Sequence, residues 1–331
     1  MKLLRYENNP MLEPASHKKC DMGAVFNCGV TVTVEGNIVM LYRAVPSGYS
    51  KSRSGNGYDN YISSIGYATS RDGYNFTCYD KLVIYPDVKE DIYGCEDPRI
   101  TRLTDNGKDT YLITYTALSS PAFSENGYRV ALAVTDDFKT FTKHGVIIPG
   151  HNDKDAVFFP EKIKGKIILL HRIPPDIQIV YFDSLEQIIN PEETFWKEYN
   201  FSIGKYAILK REFKWESEKI GAGPPPVKTE EGWLLIYHGV DENHVYRTGV
   251  VLLDLENPSC VISRSPFPIL EPEADYEKYG DINNVVFPEG AIIIGDMLFV
   301  YYGAADKVCC LATVKIEELL DYLKAYRGDS W

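Results

Sequence analysis

Gly165-Lys166-Ile167-Ile168-Leu169-Leu170-His171-Arg172 sets a turn glycine before a run of four apolar residues and closes on two polar side chains. The same plan occurs at Gly36, which leads through Ile38-Val39-Met40-Leu41 to Tyr42-Arg43, and at Gly107, which leads through Tyr111-Leu112-Ile113 to Tyr115-Thr116. It recurs at Gly232, through Trp233-Leu234-Leu235-Ile236 to Tyr237-His238, and at Gly295, through Met297-Leu298-Phe299-Val300 to Tyr301-Tyr302. A supersecondary unit returning at intervals of roughly 60–70 residues reads as radial repetition, so the five copies predict an all-β fold, a five-bladed β-propeller. Equivalent strand ends of a propeller converge on one axis. Residues scattered from 27 to 306 can therefore share a single site.

A second strand precedes each glycine: 25–29, 94–99, 157–162, 220–226 and 286–290. A third pattern follows it, as in Ile65-Gly66-Tyr67-Ala68-Thr69-Ser70-Arg71-Asp72-Gly73 and Leu132-Ala133-Val134-Thr135-Asp136-Asp137-Phe138. Each blade thus reads as a meander whose innermost strand carries the polar motif. Helical spacing of Ile316, Leu319, Leu320 and Leu323 predicts one short C-terminal helix, a cap without chemistry.

The 331 residues contain no Ser/Gly tract, charge block or low-complexity stretch, so one domain over 1–331 is expected. A formal charge of −12 argues against nucleic acid or an anionic membrane as partner, while leaving room for a small anion held by local basic residues. Met1-Lys2-Leu3-Leu4-Arg5-Tyr6-Glu7 lacks the apolar core of a signal peptide. The seven cysteines (20, 28, 78, 95, 260, 309, 310) show no CxxC spacing, and neither they nor the six histidines show zinc-ligand spacing. A reduced, cytoplasmic protein without a metal is the reading.

Three ionisable features stand where a propeller points them at its axis. Glu96-Asp97-Pro98-Arg99 offers a carboxylate directly before proline, which predicts an extended backbone and a fixed direction. Arg43, Lys154, Arg172, Lys219 and His238 supply basic groups at corresponding blade ends. Each alone suits a structural ion pair, but together they repel one another unless an anion or several carboxylates sit among them. Tyr302-Gly303-Ala304-Ala305-Asp306 brings a further carboxylate from the last blade.

GCEDPR (94–99), KDAVFFPEKIKGK (154–166), KIGAGPPPVKTEEGWLLIYHG (219–239), VVLLDLENP (250–258) and NVVFPEGA with YYGAAD (284–306) together resemble glycoside hydrolase family 130, the β-mannoside phosphorylases and related β-mannosidases. The resemblance runs in order from about residue 9 to 315, and the fold it implies is a five-bladed propeller. It also implies that Asp97 is the single catalytic acid, protonating the leaving oxygen through the mannose 3-hydroxyl. Asn27, Arg43 and Asp306 would contact the −1 mannose, with Glu289 counted in the substrate-binding set, and Lys154, Arg172, Lys219 and His238 would hold phosphate. Where this chain has Lys154-Asp155, some relatives carry Arg-Asn; Asp155 beside a phosphate requires pairing with Lys154 or Arg172.

An inverting hydrolase needs an acid and a base roughly 6.5–9.5 Å apart, because water is a poor nucleophile. Phosphate is already anionic and needs instead desolvation, charge compensation and alignment, which a basic cluster supplies. The basic set at 172, 219 and 238 thus favours inverting phosphorolysis of a β-mannoside, a β-mannooligosaccharide or β-mannosyl-N-acetylglucosamine, to α-mannose 1-phosphate and a shortened acceptor. Inorganic phosphate is the co-substrate, and no cofactor is implied. The alternatives are a β-mannosidase, whose base would be Glu161, Asp281 or Glu289, and a non-catalytic carbohydrate-binding propeller. Family frequency favours β-1,4 linkage. Acceptor contacts are expected from loops 46–62, 118–128 and 173–180, with Tyr49, Tyr58, Tyr61, Phe123 and Tyr128 as stacking candidates. Loop 46–62 is also where a homo-oligomer would make contact.

Overall fold

The five hairpin glycines all adopt positive φ: 78° at Gly36, 75° at Gly107, 78° at Gly165, 151° at Gly232 and 63° at Gly295. A side chain is disfavoured there, which is why glycine marks each turn between the first two strands of a sheet. The computed structural model describes residues 1–16, 22–53, 57–105 and 107–328, so Cys20 and residues 54–56 of the polar loop lie outside the described residues.

Five antiparallel blade sheets result, with a separate two-stranded sheet of Ser50–Lys51 and Tyr58–Asp59. Blade one holds Met22–Val32, Ile38–Pro46, Ser64–Ser70 and Thr77–Ile84; blade two holds Gly94–Asp105, Lys108–Leu118, Tyr128–Thr135 and Thr142–Val146. Blade three runs Lys154–Phe158, Ile167–Arg172, Ile177–Phe182 and Ala207–Leu209. Blade four runs Lys219–Ala222, Gly232–Val240, Tyr246–Leu253 and Val261–Arg264. Blade five comprises Val286–Ile294, Met297–Ala304 and Val308–Lys315, and its outer strand is Leu4–Arg5 from the far end of the chain. That two-residue strand pairs Leu4 with Thr313 and Arg5 with Ala312, closing the ring. Arg5 fastens the closure by donating from Nε and Nη2 to both oxygens of the buried Glu277, at 2.8 and 2.9 Å.

Apolar residues fill the spaces between neighbouring sheets. Leu112 and Leu132 of blade two pack with Phe158, Leu169 and Val180 of blade three; Val157, Leu170 and Ile179 on the other face of blade three meet Ile220, Trp233 and Leu235 of blade four. The first strands of the blades adjoin around the axis, so their polar motifs face a common centre.

The C-terminal helix spans Ile316–Lys324 and buries Leu319 and Leu323. Glu193–Phe201 is also helical, with the shorter Leu185–Ile189 and Asp275–Lys278, where the sequence reading expected no helix. Its Phe195, Trp196 and Tyr199 have the propensities of strand residues, but packing against Leu169 and Val180 decides their conformation.

Candidate active site

The inner strands of four blades carry a β-bulge at the same level. Phe26 pairs with Arg43 and Cys28 with Tyr42, which leaves Asn27 as the extra residue. In blade two, Glu96 pairs with Thr116 and Arg99 with Thr114, so Asp97 and Pro98 together oppose one residue. In blade three, Asp155 and Ala156 fall between the pairs Lys154–Arg172 and Val157–Leu170; in blade five, Glu289 falls between Pro288–Tyr302 and Gly290–Tyr301. A bulge re-aims a side chain, and those at Asn27, Asp97 and Asp155 aim theirs toward the axis. Asn27, Asp97 and Asp155 have φ of 48°, 56° and 57°, a left-handed conformation that costs roughly 1–3 kcal/mol for a non-glycine residue. The expectation of an extended Asp97 is therefore corrected: the bulge overrides the pre-proline preference.

A cavity of about 360 Å³ opens at this level. Its wall brings together Asn27, Arg43, Asp97 and Asp306 on one side and Lys154, Arg172, Lys219 and His238 on the other. On the first side Asn27 Nδ2 donates to Asp97 Oδ1 at 2.8 Å, and Arg43 Nη1 lies 3.3 Å from the same oxygen. Both bonds fall on Oδ1, and neither reaches Oδ2. Arg43 also pairs with Glu96, whose Oε1 lies 3.2 Å from Ser63 Oγ. Gly303 is obligatory behind Asn27, because a side chain there would collide with the Asn27 amide. Asp306, at φ 51°, is partly buried; burial, together with Asp97 and Glu96, pushes its carboxyl up to about 7 against the pull of Arg43.

The other side is cationic. Arg172 Nη2 lies 3.0 Å from Asp155 Oδ2, while its Nε and Nη1 are buried and have no protein partner among the described residues. His238 Nε2 lies 3.6 Å from the same carboxylate and its Nδ1 is likewise unpartnered. Burial and the positive charge of Arg172 hold His238 well below its usual pKa, so it is neutral near pH 7. Burial alone would raise the Asp155 carboxyl, but the guanidiniums of Arg172 and Arg99 keep it ionised. Asp155 is thus paired as the sequence required, with Arg172. Burial, reinforced by Arg172 and Lys154, lowers the Lys219 ammonium to about 8. Lys219 Nζ stands 5.5 Å from the Tyr246 ring centroid and Lys154 Nζ 5.7 Å from that of Tyr128. The basic groups come from two strand types rather than one: Lys154 and Lys219 from first strands, Arg43, Arg172 and His238 from second strands.

Glu289 is the exception among the expected site residues. It is buried beneath the wall, 3.2 Å from Arg99 Nη2, because its bulge turns it toward blade two rather than into the cavity. Nor do the other candidate bases reach the wall. Glu161 pairs with Lys228 at 2.5 Å on the surface, and Asp281 accepts from Lys307 at 3.2 Å and from Tyr49. The carboxylates that do line the cavity beyond Asp97 and Asp306 are Glu96 and Asp155, each already paired with an arginine, and Glu125, which is exposed on the rim.

Leu118 and residues 121–126, with Tyr128, form the rim, and Phe123 stands on it. Tyr49, Tyr58 and Tyr61 form an aromatic stack behind Phe123 rather than on the wall, and Tyr58 donates to the Asp281 carbonyl at 2.9 Å. Of 173–180 only Pro174 lines the cavity, because Ile177–Phe182 is a strand. The sequence reading missed Tyr246 and Phe287 on the wall; their only signal was position next to a motif, since Tyr246 opens the strand after His238 and Phe287 precedes Pro288.

The sequence profile of glycoside hydrolase family 130, described as beta-1,4-mannooligosaccharide phosphorylase, matches residues 4–325. A beta-1,2-mannobiose phosphorylase of Thermoanaerobacter sp. (strain X514) is 41% identical over 321 residues, covering 96% of this chain and 99% of that protein. A 1,2-beta-oligomannan phosphorylase of the same strain is 39% identical over 320 residues, with 96% and 99% covered. Among solved structures, the beta-1,2-mannobiose phosphorylase of Listeria innocua in complex with beta-1,2-mannobiose superposes with a TM-score of 0.81 at 32% identity, covering 98% of this chain and 100% of that one.

Proposed function

The chain belongs to glycoside hydrolase family 130, and from that premise we propose that it catalyses inverting phosphorolysis of β-mannosides, releasing α-mannose 1-phosphate and a shortened acceptor. The observation that carries this reading is Arg172, whose Nε and Nη1 are buried without a protein partner among the described residues, on the wall of the same cavity as Asp97. Buried donors without partners are costly, about 1–3 kcal/mol each, unless a ligand satisfies them. Three cations beside them give that ligand its charge: Lys154, Lys219 and Arg172 suit a phosphate.

The division of the cavity sets the geometry of the reaction. Mannose at Asn27, Arg43 and Asp306 has the Asp97 carboxyl on its near side and phosphate on its far side. The phosphate oxygen forms the new bond at C1 as the glycosidic bond breaks, with inversion. The Asp97 proton passes through the mannose 3-hydroxyl to the departing oxygen. The acceptor leaves as an alcohol and Asp97 is left ionised, its charge held by Arg43 and Asn27. Hydrolysis would need a further carboxylate to deprotonate water. Glu161, Asp281 and Glu289 are off the wall, Glu96 and Asp155 are bound to arginines, and Glu125 is an exposed residue of the rim.

Three full-length relatives named for β-1,2-mannosides favour that linkage over the β-1,4 linkage expected from family frequency. With equal β-1,2- and β-1,4-mannobiose, initial rates of mannose 1-phosphate formation should favour the β-1,2 substrate at least tenfold; a preference for β-1,4 would reverse the assignment. The free thiols of Cys28, Cys78, Cys95, Cys260, Cys309 and Cys310 support placing the reaction in the reducing cytoplasm.

Lys219 gives the reaction a pH signature. Its ammonium has a pKa of about 8 in the free protein, so it is protonated and attracts the anion below that value, and sheds its charge as pH rises through it. The KM for phosphate should therefore climb between pH 7.5 and 9. In Lys219→Met it should be higher throughout and flat over that interval. A parallel rise in both proteins would remove Lys219 as its source.

A further inference from the structure

Arg99 lies just beneath the cavity floor, 2% exposed, and touches neither proposed substrate position. All three of its nitrogens are engaged. Nη1 donates to the backbone carbonyl of Asp97 at 3.2 Å, and Nε donates to the carbonyl of Gly223 in blade four at 3.0 Å. Nη2 reaches Asp155 Oδ1 at 3.2 Å, the Ala222 carbonyl at 3.2 Å and Glu289 Oε1 at 3.2 Å. One guanidinium thus binds the bulge that bears the acid and the bulge that bears Asp155. Asp155 in turn holds Arg172 through its other oxygen, at 3.0 Å.

Both bulges are left-handed at a non-glycine residue, φ 56° at Asp97 and 57° at Asp155. Such conformations persist only where the surroundings over-determine them. The space around Asp155 is also closed: a side chain at Gly221 would collide with its carboxylate and with His238. We propose that Arg99 is a positioning residue that couples the two halves of the site, fixing the Asp97 peptide directly and the phosphate-binding Arg172 through Asp155. A lysine in its place keeps the charge that balances Asp155 and Glu289 but cannot serve three directions with a rigid fork. This inference rests on the phosphorolytic reading.

The test is a double-mutant cycle on Arg99→Lys and Asp155→Asn, with kcat and both KM values measured for phosphorolysis. Arg99→Lys should lower kcat about 10- to 100-fold and raise the phosphate KM about tenfold. The mannoside KM should stay within threefold, because Arg99 contacts none of Asn27, Arg43 and Asp306. In the Asp155→Asn background Arg99→Lys should no longer move the phosphate KM, while its effect on kcat through Asp97 persists. Simple destabilisation would lower the maximal rate with the folded fraction and leave both KM values alone. Unchanged constants in Arg99→Lys, or additive effects on the phosphate KM, would overturn the coupling. If Arg99→Lys does not fold, Asp155→Asn decides by itself: an unaltered phosphate KM there overturns it. A wild-type protein that forms no mannose 1-phosphate would instead sink the functional reading beneath it.

Discussion

Asp97→Asn is expected to reduce phosphorolysis by ~10²–10⁴-fold while leaving the melting temperature within a few degrees of wild type, because general acid catalysis contributes a factor of that order. The substitution is conservative in shape. Asn27 Nδ2 and Arg43 Nη1 both address Oδ1, and an asparagine oxygen at that position keeps both bonds. What is lost is the carboxyl group that gives up a proton. The mannoside KM should therefore change little while kcat collapses. A poor leaving group should suffer most, since protonation matters most there. Retention of more than a tenth of wild-type turnover would remove Asp97 as the acid.

Arg172→Gln is expected to raise the phosphate KM about 100-fold with less than a threefold change in the mannoside KM. Two of its nitrogens, Nε and Nη1, are buried without a protein partner among the described residues. A charge-assisted hydrogen bond contributes about 1.5–3 kcal/mol, and each 1.4 kcal/mol is tenfold in affinity, so losing them gives that order of effect. Glutamine ends two bonds short of the Arg172 Nη2 that meets Asp155, so that carboxylate is left to its bond from Arg99. His238→Ala should move the phosphate KM the same way by less, because a neutral imidazole offers one uncharged bond. Equal movement of both KM values would mean that the anion does not sit against Arg172.

The propeller was legible because five turns needed glycine at positive φ and each was followed by a buried strand; that requirement leaves a mark in the chain whatever the function. The axial gathering of Asn27, Asp97, Arg172 and Asp306 was legible for the same reason, since blade position fixes the distance to the axis. Ring closure by Leu4–Arg5 was not. Two residues carry no periodicity, and their pairing with 312–313 is the longest-range strand pairing among the described residues. Glu289 and Glu161 show the other limit. Both follow Phe-Pro, yet one is buried against Arg99 and the other pairs on the surface with Lys228. A bulge decides that difference, and a single extra residue in a ladder is invisible to alternation. The helix at Glu193–Phe201 was missed because its aromatic residues serve a packing role that propensity cannot anticipate. Arg99 was noticed only as a neighbour of Asp97; its partners lie in blades three, four and five, beyond any local reading.

In the proposed reaction phosphate, not water, attacks the mannoside. Purified protein incubated with β-1,2-mannobiose, with and without millimolar inorganic phosphate, should form α-mannose 1-phosphate and mannose in equal amounts only when phosphate is present, with almost no turnover in its absence. Free mannose released at the same rate with or without phosphate, and no sugar phosphate, would contradict the account and make the enzyme a hydrolase.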